Sequence, residues 1–404
     1  MTQKLTVEQS FQKFVSNLNP TEKQRIRIQT NRETIDSVLA NDKRIFLNTQ
    51  QQPSFLTGSY RRNTIIRPID DIDLYVRVHY GEHCVNKSPR SILLLIKYAL
   101  CKKFGNRTEV KVDSPCVVVE FRDYKFEIVP VVGYENDSQL YNVPAPGSRE
   151  WMQCYPNAPS KWLSSSNQVN NKMFIPLIKI LKQWNRKNKI GLKSFHLELL
   201  TERVFNAITE IKSYPQGIFD WLYCVTIWIS ENNSPFIPEP GHAYKYVDEY
   251  LYQNRMQLTR MRKKLEMSLK KAERAYDFYV RGSNIAANRS YNNLFGSMFP
   301  SPEPMPAKPV LVPPKTEPAL TIRDALLKQQ PTGFLGGNPK NALLDALANS
   351  NPGVLGIPRS NAAKNCLLEA LANPSPKPSE TVSSGAIGTA LSDLFSSPYN
   401  LFKK

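Results

Sequence analysis

Along the first 300 residues the apolar positions change period twice, and each change marks a different kind of element. Within residues 1–46 they recur every three to four positions, which predicts two helices. The second opens at Asn19-Pro20-Thr21-Glu22, read as an Asn cap with a Pro in the first turn, and lines Ile28, Ile35 and Leu39 along one face. Between Phe55 and Pro130 the period shortens to two. Extended runs are predicted at 71–78, 116–121 and 125–130, split by one helix over 89–103, so a sheet packs on helices. From 172 to 279 the helical period returns, ending in a long amphipathic stretch with Val247, Leu251, Leu258, Met261, Leu265, Ala272 and Tyr279 on one side.

That last stretch carries Arg255, Arg260, Arg262, Lys263, Lys264, Lys270, Lys271 and Arg274. It is read first as a core stripe with a solvated basic face, and second as a nucleic-acid contact. Beyond residue 300 the pattern dissolves: 15 of the 31 prolines and only four aromatics fall there. A loose repeat remains, Asn341-Ala-Leu-Leu-Asp-Ala-Leu-Ala-Asn349 and Asn365-Cys-Leu-Leu-Glu-Ala-Leu-Ala-Asn373, echoed at 322–327 and 390–395. Helices this short are marginal in water, so the segment is expected to be a flexible tail with nascent helices, serving as docking peptides for a regulatory protein or as linker.

Charge narrows the partners. The chain carries +18, of which 43 basic and 28 acidic residues leave +15 in residues 1–300, so anionic partners such as nucleotides or nucleic acid are favoured. No apolar run reaches the roughly 20 residues of a membrane helix, and the first residues lead into no signal-peptide core, so the protein is expected in the cytoplasm, away from membranes. Six scattered cysteines argue against disulfides and thiolate zinc sites.

The sharpest chemistry lies between Phe55 and Val76. Alternation on a strand puts Asp71, Asp73, Tyr75 and Arg77 on one face and Ile72, Leu74, Val76 and Val78 on the other. Adjacent carboxylates repel, and a divalent cation with oxygen ligands relieves that repulsion. Upstream, Gly58 permits close backbone approach and the Ser59 hydroxyl can hold a phosphate. Glu127 is the candidate third acid of a two-metal site, with Glu120 and Asp123 as rivals. Lys182 and Ser194 supply a cation and a hydroxyl for a bound triphosphate if the helix carrying Lys182 packs beside the loop carrying Ser194, and are an ordinary basic helix and cap otherwise. His196 is read as a packed structural histidine.

In this order, Gly58-Ser59-Tyr60-x-Arg62-x-Thr64, Asp71-x-Asp73, Glu127-x-Val-Pro130, Leu181-Lys182-x-Trp184-Asn185 and Ser194-Phe-His-Leu-Glu198 resemble the bacterial CD-NTases, the cyclic-oligonucleotide synthases of anti-phage systems related to cyclic GMP-AMP synthase. The resemblance covers about residues 1–290. It implies an α+β fold, a polymerase-beta-like nucleotidyltransferase core at 1–170 and a helical lobe at 171–295, with the Pro-rich tail at 296–404. It also implies an active site between core and lobe, in which Asp71, Asp73 and Glu127 bind two Mg2+ or Mn2+ ions. Gly58, Ser59, Arg62, Lys182 and Ser194 would hold the triphosphate of ATP or GTP, and a downstream effector would read the cyclic product. The family's third acid is usually Asp, so Glu127 is one methylene longer, and a failure to reach the metals would make the enzyme slow or activator-dependent.

The tail matches nothing in the family, so removing 301–404 is expected to leave nucleotide chemistry intact. Two other functions are open: transfer to a linear oligonucleotide or to an RNA or protein acceptor, and a nucleic-acid-binding scaffold without chemistry. The scaffold fits poorly, because acids on one strand of a basic domain repel phosphate unless metal intervenes.

Overall fold

The computed structural model describes residues 5–48, 52–106, 108–134, 139–207, 210–232, 234–238 and 246–300, and the tail with its repeats lies outside them. The chain divides into two units, residues 16–165 and a second formed by 1–15 with 166–404. The divisions fall inside α1 (Val7–Leu18) and α6 (Ala158–Val169). The first fifteen residues therefore group with the later helices, whereas the sequence placed them with the strands.

The 16–165 unit opens with α2 (Glu22–Ala40). Its cap is Thr21, two residues beyond the Asn19 expected: the Thr21 hydroxyl accepts from Gln24 N, and Thr21 N donates to the Gln24 side chain at 2.9 Å. This reciprocal pair satisfies two backbone donors at once, which fixes the start and leaves Pro20 outside. Ile28, Ile35 and Leu39 are fully buried, as their spacing predicts. There follow β1 (Ser54–Leu56), α3 (Gly58–Arg61), β2 (Asp71–Arg77), α4 (Tyr80–His83), α5 (Pro89–Phe104), β3 (Val110–Asp113), β4 (Cys116–Glu120), β5 (Lys125–Gly133), β6 (Tyr141–Pro144) and β7 (Trp151–Cys154).

Among the described residues the strands form one seven-stranded sheet in the order β1-β2-β5-β4-β3, with β6 and β7 continuing from β5. The pair β2–β5 is parallel and the other pairs are antiparallel. One sheet face carries Ile72, Leu74, Val76, Phe126, Ile128 and Val132 against Ile28, Ile35, Leu39 and the buried stripe of α5. The opposite face changes character along its length. It is charged at Asp71, Asp73, Lys125 and Glu127, then apolar at Val129 and Val131, which join Phe55, Tyr141 and Val143 in a second cluster. The same alternation that buries one side of β2 and β5 thus presents five charged side chains on the other, Arg77 at the far end of β2 being the fifth.

The other unit contains α7 (Phe174–Lys187), α8 (Ser194–Ala207), α9 (Tyr214–Glu231), α10 (Glu249–Tyr252), α11 (Arg255–Val280) and α12 (Asn284–Phe295). The predicted stretch from Val247 is broken: Asn254 accepts from Gln257 N at 3.1 Å and starts α11 afresh, leaving Val247 and Leu251 on the preceding segment. Its basic residues are not all solvated either, since Arg262 donates to the carbonyls of Ile229 and Asn232. Phe11 and Phe14 of α1 are fully buried in this unit, with ring centroids 4.9 Å from Tyr291 and 5.1 Å from Phe295, respectively. Each buried ring contributes about 2–3 kcal/mol, which explains why this short helix joins α12.

Candidate active site

Parallel pairing sets Asp71 opposite Lys125 and Asp73 opposite Glu127. Neighbouring strands lie about 4.8 Å apart, so these four side chains form a tight charged square on one face. Asp73 is crowded from above as well. Gly58 adopts φ +60°, and a Cβ there would lie 1.7 Å from Asp73 Oδ2, so any larger residue is strained and must displace the Asp73 carboxylate. Thr57 N donates to Asp73 O at 3.0 Å and holds this approach. The Ser59 carbonyl accepts from Thr64 N at 2.9 Å and Ile65 N at 3.1 Å, and Arg62 N donates to Gly58 O at 3.1 Å, closing the short turn of α3 over the strand.

Burial pushes the Asp73 carboxyl up to about 6, the charges of Asp71 and Glu127 add to the effect, and Arg62 opposes it. Glu127 does not turn to Asp73. Its Oε1 lies 2.5 Å from Lys125 Nζ, with the two side chains 26% and 31% exposed. The rivals for the third acid sit elsewhere: Glu120 is on β4 and pairs with Lys111 at 3.4 Å, and Asp123 pairs with Arg27.

The donor set fits a hard divalent cation, because clustered carboxylate oxygens are its preferred ligands and their mutual repulsion is already visible at Asp73. Among the described residues, however, no three His, Cys, Asp or Glu side chains stand in ligating arrangement as they are, and Glu127 is engaged by Lys125.

The remaining two expected residues lie in the other unit. Lys182 on α7 is buried, its Nζ 2.7 Å from Oε1 of the fully buried Glu198 on α8, while Ser194 is exposed at the start of α8. His196 is fully buried and pushed down to about 3, and its Nδ1 meets the Tyr250 hydroxyl at 3.0 Å, in keeping with a packed histidine. The structure thus gathers Gly58, Ser59, Arg62, Asp71, Asp73 and Glu127 in one unit, and Lys182 and Ser194 in the other. Sequence reasoning missed Lys125, although the Lys-x-Glu alternation puts it on the same face as Glu127.

Residues 5–167 match the Second Messenger Oligonucleotide or Dinucleotide Synthetase domain. The chain is 31% identical over 166 residues to a cyclic AMP-AMP-AMP synthase of an Acinetobacter species, a match covering 38% of this chain and 46% of that protein. It is 23% identical over 371 residues to a cyclic AMP-AMP-GMP synthase of Enterobacter hormaechei, covering 74% and 93%. A match to a probable cyclic nucleotide synthase of Bacillus cereus, 24% identical, covers 60% of that protein, so the chain spans about half the length of two of these relatives. Among solved structures it is similar to the Vibrio cholerae dinucleotide cyclase DncV in complex with GTP, with a TM-score of 0.60 at 13% identity over 73% of this chain and 97% of that one. It is also similar to Escherichia coli CdnC, solved with ATP, with a TM-score of 0.56 at 18% identity over 74% and 99%. CdnC has further been solved in complex with HORMA-deltaN. The fold is therefore shared with these two solved proteins, and residues 5–167 carry a Second Messenger Oligonucleotide or Dinucleotide Synthetase domain.

Proposed function

We propose that this protein joins nucleoside triphosphates, ATP foremost and GTP second, into a cyclic di- or trinucleotide that serves as a second messenger in defence against phage. The observation that carries the reading is the register of Asp73 with Glu127 on adjacent parallel strands, directly beneath the Gly58 turn. Asp71, Asp73 and Glu127 would hold two Mg2+ or Mn2+ ions, whose chemistry there would be to neutralise phosphate charge and favour attack by a hydroxyl. The Gly58 backbone and the Ser59 hydroxyl position the donor phosphates, with Arg62 supplying positive charge beside Asp73. Lys182 and Ser194 remain the sequence-based candidates for phosphate contact, and for Lys182 that role would require sharing its charge between Glu198 and phosphate.

In each step a ribose hydroxyl oxygen forms a bond to the α-phosphorus, the bond from that phosphorus to the bridging oxygen breaks, and pyrophosphate leaves. The hydroxyl proton passes to a carboxylate of the cluster. A second round within the linear intermediate closes the ring. The relatives' products suggest AMP units. A regulatory protein partner, such as CdnC has, and an effector that reads the product complete the proposal.

The test is incubation with four radiolabelled triphosphates and Mn2+, then phosphatase treatment and mass analysis, beside an Asp71→Ala/Asp73→Ala control. A phosphatase-resistant cyclic product absent from the control is expected. A phosphatase-sensitive linear product, or label on an added RNA or protein, would establish the acceptor-transfer reading instead.

A further inference from the structure

Lys125 is a cation set among three acids, and no step of the proposed reaction uses it. Its Nζ claims Oε1 of Glu127, one of the two oxygens that carboxylate could offer a divalent ion. We propose that Lys125 is a positioning residue that parks Glu127 along its own strand and thereby sets the affinity of the acid cluster for divalent cations. This inference rests on the metal-binding reading of Asp71, Asp73 and Glu127.

The geometry leaves Glu127 two directions to serve. Lys125 stands two residues back on the same face of β5, and Asp73 stands opposite on β2. A glutamate side chain, with its two methylenes, reaches along the strand to the ammonium or across it toward Asp73. With Oε1 held by the ammonium, a cation at Glu127 either displaces the lysine or is left with Oε2 alone, so the pair weakens this ligand without removing it. Apparent affinity falls by the fraction of time the carboxylate is parked. The pair is partly solvated, which keeps the competition reversible.

The test is Mn2+ binding by the full-length protein, stripped of divalent ions and followed by the electron paramagnetic resonance of free Mn2+. Lys125→Met keeps the stem and removes the charge, and should bind Mn2+ about fivefold more tightly. Lys125→Arg should bind like the wild type. On a Glu127→Gln background the gain from Lys125→Met should shrink to less than about twofold. Unchanged or weaker binding by Lys125→Met, with binding still abolished by Asp71→Asn/Asp73→Asn, would overturn the role of Lys125 and leave the metal site standing. An equal gain on both backgrounds would also overturn it, showing charge acting at a distance. If wild type and Asp71→Asn/Asp73→Asn bind Mn2+ alike, the metal reading fails, and this one with it.

Discussion

Two Lys–Glu pairs of nearly equal length sit in the two units under opposite conditions. Lys182–Glu198 spans 2.7 Å with side-chain exposures of 6% and 0%, whereas Lys125–Glu127 spans 2.5 Å with both groups over a quarter exposed. The first joins two helices from within, the second lies along one strand at the edge of an acid cluster. Burial decides what each can do. A buried pair cannot lose one partner without stranding a charge in a poorly polarisable interior, so it behaves as structure. A solvated pair exchanges partners at small cost, so it can take part in binding.

The largest test breaks the buried member. Lys182→Met should cost about 3–5 kcal/mol in urea denaturation, because Glu198 stays behind without its cation. Lys182→Met/Glu198→Leu should recover most of that, and a double variant no better than the single would sink the burial account.

Gly58→Ala comes next. The added carbon must displace the Asp73 carboxylate and adopt a left-handed backbone, so we expect about 2 kcal/mol of destabilisation together with loss of nucleotide product. Retained product would place the acid cluster outside the chemistry.

The third test uses pH. The folded Asp73 carboxyl sits near 6 against an ordinary 3.8, so the fold favours its protonated form. Its stabilising contribution is full below about pH 3.8 and lost as pH rises through 6. Relative to Asp73→Asn, the wild type should therefore gain about 1–2 kcal/mol on acidification from pH 7 to pH 4, read as the difference between their urea midpoints. Parallel pH profiles would refute the crowding of Asp73.

The smallest effect belongs to the exposed pair. Lys125→Met should change the denaturation free energy by less than about 1 kcal/mol, and a loss comparable to that of Lys182→Met would erase the contrast.

Much of this was legible in the sequence where periodicity was strong. The alternation at 71–78 yielded β2 with both faces assigned, and the 89–103 helix appeared as Pro89–Phe104. Where two local rules competed, the sequence misled. Asn19 with Glu22 and Thr21 with Gln24 offered rival starts of the same spacing, of which the chain uses the second, and Asn254 interrupted a stripe whose apolar spacing ran straight through it. The site was half legible. Asp71, Asp73 and Glu127 share a face by alternation alone, but the partner of each charge depends on strand register. Lys125 opposite Asp71, and Gly58 pressed onto Asp73, follow from pairing that no local pattern encodes. The burial of Lys182 against Glu198 is likewise a property of two helices meeting.

The packing of α1 has a consequence for synthesis. Besides each other and Tyr214, which meets Phe11, the rings against Phe11 and Phe14 are those of Tyr291, Phe295 and Phe299, some 280 residues later in the chain. At about 5–20 residues per second, a ribosome needs roughly 15–60 s to deliver them. Throughout that interval the first helix to emerge presents two phenylalanines without the aromatic cluster that finally buries them, an exposed apolar face of the kind chaperones bind.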